Sequence, residues 1–291
     1  MSEQLAGQGR AVVVSGASSG LGLACARQLD QLGFRVFAGV RRPADADALR
    51  AAASPRLHPI MLDVTSEESI AQALALVTAE VGDRGVWGLI NNAGICVSAP
   101  LECVAPEQLR QQLETNLIGH HAMIRAFLPL TRTARGRIVN VSSGLGRVAS
   151  PYLGAYAASQ FAKEGYSDSL RRELRPFGVH VVVVQPGAIK TPIWGKVSEV
   201  GNQTLEGAPA AVANLYRESF LRFLAGNDRR AQASATRPES FAAAVADALT
   251  ARSPKSRYRV GRDSRLTSVV YRLLPDKVLD TVFTSVVGTA R

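Results

Sequence analysis

Short runs of apolar and β-branched residues recur along this chain, each followed by a longer helical pattern. This alternation restricts the fold more than any other feature. "RAVVVS" (10–15), "FRVFAG" (34–39), "LHPIMLDV" (57–64), "VWGLINNAG" (86–94), "GRIVNVSS" (136–143) and "VHVVVVQPG" (179–187) read as strands. Their apolar residues are continuous rather than alternating, as in strands covered on both faces. Helical patterns separate them: 20–33, stopped by Gly33; 65–82; a long one from about Pro106 to Arg132; and 154–176. Thr65 as N-cap with Glu68 three residues on is the expected capping box of the second. Strand–helix alternation with right-handed crossovers gives an α/β, Rossmann-type doubly wound parallel sheet. It has about seven strands if "RYRV" (257–260) is the last.

With 291 residues, the chain reads as a single domain, 1–291. The segment 188–237 breaks the alternation and follows the C-terminal end of a strand, the edge where open α/β sheets bind ligands. It reads as a substrate-covering lid, a mobile loop with two short helical stretches. Trp194, Leu205, Leu215, Tyr216, Phe220 and Phe223 offer apolar surface there, either to line a pocket or to pack the lid on the body. Residues 262–291 form a C-terminal helical extension. Within it, 266–283 has near-helical apolar spacing around Pro275 and suits a pocket cap, a subunit contact or a membrane surface.

The net charge of +10 comes from basic residues in no run longer than two, which argues for compositional bias and against nucleic-acid binding. Cys25, Cys96 and Cys103 have no metal-like spacing and read as free thiols in a reducing compartment. No metal site is expected. No signal peptide and no apolar run of about 20 residues is evident, so a cytoplasmic protein without a transmembrane segment is expected.

"SGASSGLG" (15–22) joins the first strand to the first helix. Gly16, Gly20 and Gly22, with Ser18, Ser19 and Leu21 between them, let the backbone turn tightly and approach a pyrophosphate at the helix N-terminus. The second strand ends "FAGVRR", without the acidic residue that usually takes the ribose hydroxyls of NAD. Arg41 and Arg42 suit a 2′-phosphate, so NADP(H) is the expected cofactor. Asp63 and Val64, ending the third strand, are placed to reach the adenine.

With "NNAG" (91–94), Asn116 in "ETNLIGH", Ser143, Tyr156 thirteen places later, and "PGAIKTP" (186–192), the chain resembles the short-chain dehydrogenase/reductase family over residues 8 to 265. The wording of "FAGVRRPADADALR" and "PGAIKTPIWGK" is similar to the steroid- and retinol-dehydrogenase-like branch. Ser15 stands where the family usually has Thr. The resemblance implies Tyr156 as general acid/base, Ser143 as hydrogen-bond partner of the substrate oxygen, and Asn116 as anchor of a water chain. It places Asn92, Ala93 and Gly94 against the cofactor's ribose and adenine side. Pro186, Gly187, Ile189 and Thr191 fall at the nicotinamide. A homodimer or homotetramer through the 106–132 and 154–176 helices is also implied.

One position departs from the pattern: the family's lysine belongs at 160, where this chain has Gln160. An amide can keep a ribose hydrogen bond but supplies no charge to acidify the tyrosine. Lys163 shares a helix face with Tyr156 and Gln160, yet seven residues rise about 10 Å. The leading expectation is an NADP(H)-dependent oxidoreductase acting on a ketone or secondary alcohol of a bulky lipophilic molecule. A non-redox enzyme using the Tyr156–Ser143 pair (a cyclase, isomerase or dehydratase) and a catalytically silent binding protein stand as alternatives.

Overall fold

The computed structural model describes residues 7–52, 54–265 and 273–287. One sheet carries β1 (Ala11–Val14), β2 (Arg35–Val40), β3 (Leu57–Met61), β4 (Gly88–Asn91), β5 (Arg137–Val141), β6 (His180–Pro186) and β7 (Arg257–Val260). Its order is β3-β2-β1-β4-β5-β6-β7, and every neighbouring pair is parallel. The direction of winding reverses at β1 and β4, which opens a crevice at the C-terminal ends of these strands.

Each strand from β1 to β6 feeds two cores. In β1, Val12 and Val14 join the cluster beneath α1 (Gly20–Gln31) and α9 (Pro238–Thr250), with Leu29 and Phe241. Ala11 and Val13 join the opposite cluster beneath α3 (Glu67–Val81), α5 (Gly119–Thr133) and α6 (Gly154–Leu174), with Val77, Phe127 and Leu170. Full burial of such a side chain contributes about 1.5–3 kcal/mol, so both faces demand apolar residues.

Four elements differ from the sequence reading. The N-cap of α3 is Ser66, not Thr65: Ser66 accepts from Ser69 N, while Thr65 donates both its backbone N–H and hydroxyl to Asp63 Oδ1. The closer carboxylate captures Thr65 in an Asx-type turn and moves the helix start on by one residue. The long helix at 106–132 is α4 (Pro106–Leu113), a widened π-turn (Glu114–Ile118) and α5. A short α2 (Pro43–Ala51) begins on Pro43 and buries Ala46 and Leu49. The 188–237 segment is no loop with short helices. It is chiefly a hairpin of α7 (Ile193–Gly207) and α8 (Ala210–Gln232). Phe220, Phe223 and Leu224 recur at helical spacing and bury one side of α8, while its arginines and Glu218 are exposed.

Candidate active site

The loop between β1 and α1 is shaped by what lies under it. Gly16 and Gly20 adopt φ of +67° and +55°, the left-handed region that favours glycine. A Cβ on Gly22 would come within 2.1 Å of Gly16 O, so only glycine lets α1 approach the strand end. Ser15 Oγ accepts from Asn92 N (3.0 Å) and Ala93 N (3.1 Å), which ties the loop to the "NNAG" turn. Asn92 Nδ2 donates to Ser15 O (3.0 Å) and Gly16 O (3.1 Å), so its amide braces the loop. Ser18 and Ser19 are exposed, α1 has no acidic residue in its first turn, and Thr191 packs beside Gly20. Open amides at a helix start, beneath a close-packed glycine turn, fit a dinucleotide pyrophosphate.

The 95–97 loop is held by two amides one helical turn apart. Asn116, in the π-turn, accepts from Ile95 N (2.9 Å) and donates to Ile95 O (3.0 Å). Gln112 accepts from Val97 N (2.7 Å) and donates to Ile95 O (2.9 Å). Gln112 was not singled out by motif. Its signal was a polar residue four places before Asn116, on the same buried helical face.

Ser143 follows β5, with its hydroxyl accepting from Leu145 N at 3.2 Å. Tyr156, in the first turn of α6, lies beside the Ser143 side chain on the wall of one cavity. Burial pushes the Tyr156 phenol well above its ordinary value, the nearby Cys96 adds to that, and the Ser143 hydroxyl opposes it. Burial also pushes the Cys96 thiol up to about 12, an inert state at neutral pH.

Below Tyr156, Gln160 is 2% exposed; its Nε2 makes a long contact with Ser159 Oγ (3.5 Å) and its Oε1 has no partner. Lys163 is buried one turn further along α6. It is 2% exposed and donates Nζ to Val141 O at 2.9 Å. Burial brings its amine down to about 7, with Glu164 opposing. His120 bonds Ala93 O through Nε2 (2.6 Å), and burial and Lys163 hold its ring well below the usual histidine value.

A cavity of about 310 Å³ runs from Leu21 past Ser143 and Tyr156 to Gly187, Ile189 and Thr191, so one crevice joins the glycine loop, the Ser–Tyr pair and the 186–191 segment. Of the expected lid residues, Trp194 reaches this cavity and donates Nε1 to Ile189 O at 2.7 Å. Leu205, Phe220 and Phe223 instead pack with Tyr152 and Leu153, Tyr216 bonds Glu102, and Leu215 is exposed. Tyr152, at φ +65°, bonds Ser219 on α8 and docks the hairpin on the body. Residues 266–272 of the C-terminal stretch lie outside the described residues; beyond them, in α10 (Asp276–Val287), Phe283 lines the cavity. Asp63 and Val64 do not end β3 but follow it by two and three residues, the former engaged by Thr65. Arg41 and Arg42 are exposed at the tail of β2, where Arg42 pairs with Asp45 (2.8 Å). Among the described residues, no helix is long and apolar enough to cross a membrane.

A glycine turn for a dinucleotide, facing a Ser–Tyr pair across one cavity, defines an α/β oxidoreductase. Residues 10–201 match the short chain dehydrogenase family. The 3-amino-tetrahydro-pyrrolizinone reductase of Xenorhabdus hominickii is 41% identical over 276 residues, covering 94% of each chain. The 17-beta-hydroxysteroid dehydrogenase type 6 of Bos taurus is 42% identical over 284 residues, covering 95% of this chain and 88% of that one. A crystal structure of a short chain dehydrogenase from Burkholderia cenocepacia in complex with NADP superposes with a TM-score of 0.72. It is 27% identical and covers 94% of this chain and 97% of that chain. The chain belongs to the short-chain dehydrogenase family, whose members use a nicotinamide cofactor. These relatives are a reductase and dehydrogenases, which leaves the non-redox and silent alternatives without support.

Proposed function

We propose that the protein is an NADP(H)-dependent reductase that converts a ketone on a bulky lipophilic small molecule to its secondary alcohol. The single observation that carries this reading is the cavity shared by Tyr156, Ser143 and the loop segments fitted to a dinucleotide. NADP(H) over NAD(H) rests on the absence of a carboxylate at the end of β2 and on Arg41 and Arg42 beside it. Arg42 is 77% exposed and its pair with the half-buried Asp45 contributes little, so a 2′-phosphate can replace the carboxylate at Arg42. Val148, Leu153 and Val197 on the cavity wall suit a lipophilic substrate.

The cofactor, when bound, supplies the hydride. Ser143 donates to the carbonyl oxygen and steadies the charge that develops on it. Tyr156 delivers the proton to that oxygen. Its raised phenol pKa keeps it protonated at neutral pH, the state reduction requires. Asn116 and Gln112 fix the 95–97 loop beneath the reacting groups. Gln160, in place of the family's lysine, keeps an amide near the ribose. Leu109, Ile118 and Phe161, exposed on α4, the π-turn and α6, support a homodimer or homotetramer through those helices.

The reading is tested by NADPH and NADH oxidation against a panel of lipophilic ketones that includes a 17-ketosteroid and a bicyclic pyrrolizinone. NADPH turnover with one of them is expected, together with a loss of about 10²–10⁴ in kcat for Tyr156→Phe, the range of general acid catalysis. No turnover from the wild-type protein despite NADPH binding would overturn it.

A further inference from the structure

Lys163 is the one buried amine in the active-site helix that the reaction above does not use. A lysine taken out of water needs compensation, and here no carboxylate provides it directly. Its neighbour Glu164 is engaged by Arg147 (3.1 Å), Arg257 (2.9 Å) and Gln185 Nε2 (2.8 Å). The Nζ bond to Val141 O seats the amine on the last residue of β5, two places before Ser143. An ammonium carries three donors, and this bond uses one. Three buried atoms on the elements packed around it lack a partner: Gln160 Oε1 on α6, His120 Nδ1 on α5 and Ser142 Oγ after β5. Helical side chains lean toward the helix N-terminus, so the Lys163 chain is directed back toward the turns of Gln160 and Tyr156, which shortens the roughly 10 Å between its own turn and that of Tyr156.

We propose that Lys163 is a positioning residue for the Tyr156 proton transfer, supplying from below Gln160 the positive charge that position 160 lacks. The inference rests on the reductase reading, in which Tyr156 is the acid. When Tyr156 gives its proton to the substrate oxygen, the ammonium stabilises the phenolate left behind, and no bond to the lysine forms or breaks. His120, the other basic group beside it, stays neutral, so positive charge in the gap comes from Lys163. Glu164 is the acid that faces the amine, and Arg147 and Arg257 offset it from the outer side. With its amine near 7, Lys163 is only partly charged at neutral pH, and a phenolate above it draws it toward the charged form.

Four proteins test this: wild type, Lys163→Met, Gln160→Lys, and the double variant, with Lys163→Leu in reserve should the methionine variant fail to fold. The readouts are kcat against pH, KM, NADPH binding by fluorescence, and melting temperature. Lys163→Met is expected to lose at least 100-fold in kcat, with KM and NADPH binding within threefold. It should also lose the decline in reduction rate above about pH 7. Gln160→Lys sets a second cation one turn away and is expected to lose several-fold. The double variant is expected to return within tenfold of wild type. Wild-type kcat and pH profile in Lys163→Met, or a 100-fold gain in Gln160→Lys alone, would overturn the proposal. If NADPH binds but no variant turns over a carbonyl, the reductase reading fails instead. Phenolate absorbance, with Tyr156→Phe subtracted, then decides separately. Tyr156 should titrate at higher pH in Lys163→Met than in wild type, and equal titration would refute the role of Lys163.

Discussion

The loop after β1 and the buried face of α6 border the same cavity and are built from opposite materials. The loop works through backbone: positive-φ glycines, a close helix approach at Gly22, and amides at a helix start. The α6 face works through side chains: Tyr156, Gln160 and Lys163, each set by what it packs against. A backbone site tolerates almost no change at its glycines and is indifferent to titration. A side-chain site can move its charge by a turn, and its behaviour depends on pH.

The largest expected effect breaks the loop side. Gly22→Ala places a Cβ 2.1 Å from Gly16 O, so α1 must withdraw. About 1–3 kcal/mol of stability is lost, as for other overpacked sites, and NADPH binding falls at least tenfold. Urea unfolding and fluorescence titration measure the two losses. Unchanged NADPH binding would show that the loop does not cradle the pyrophosphate.

The next effect sharpens the α6 side. The folded state holds Lys163 near 7, against 10.5 when unfolded. Between these values the unfolded chain binds the extra proton, so stability rises with pH through that window. From pH 7 to 9 the gain is about 2–3 kcal/mol. Above about 9 it is opposed, because Cys25 and Cys96 are raised to about 12 and the unfolded chain ionises first. Urea unfolding across pH 7–9 should show the rise in wild type and its absence in Lys163→Met, while Gly22→Ala keeps the slope.

The smallest effect concerns exposed charge at the loop's far end. Arg41→Ala with Arg42→Ala is expected to raise KM for NADPH about tenfold, leave KM for NADH unchanged and leave the melting temperature within a degree or two, because both side chains are exposed. Equal effects on the two cofactors would remove the 2′-phosphate assignment.

The same contrast explains what could be read before folding. The order of elements, the parallel sheet and "SGASSGLG" followed from local rules: apolar runs, glycine spacing and a strand–turn–helix context. Tyr156 and Ser143 were visible because the resemblance fixed their spacing. Gln112 and His120 escaped notice because their partners, at Val97, Ile95 and Ala93, are distant in sequence. The hairpin of α7 and α8 was misjudged because its Gly and polar residues were counted without the apolar side that Tyr152 helps bury. Thr65 was misplaced by a competing carboxylate two residues away.

By itself, then, the sequence determined the fold class and the glycine turn, because both depend on backbone geometry and on periodicity within single elements. Only the tertiary structure decided where the charge on α6 resides. Helical spacing puts Tyr156, Gln160 and Lys163 on one side, but burial against β5, a carbonyl at Val141 and a histidine on α5 determine what that lysine can do.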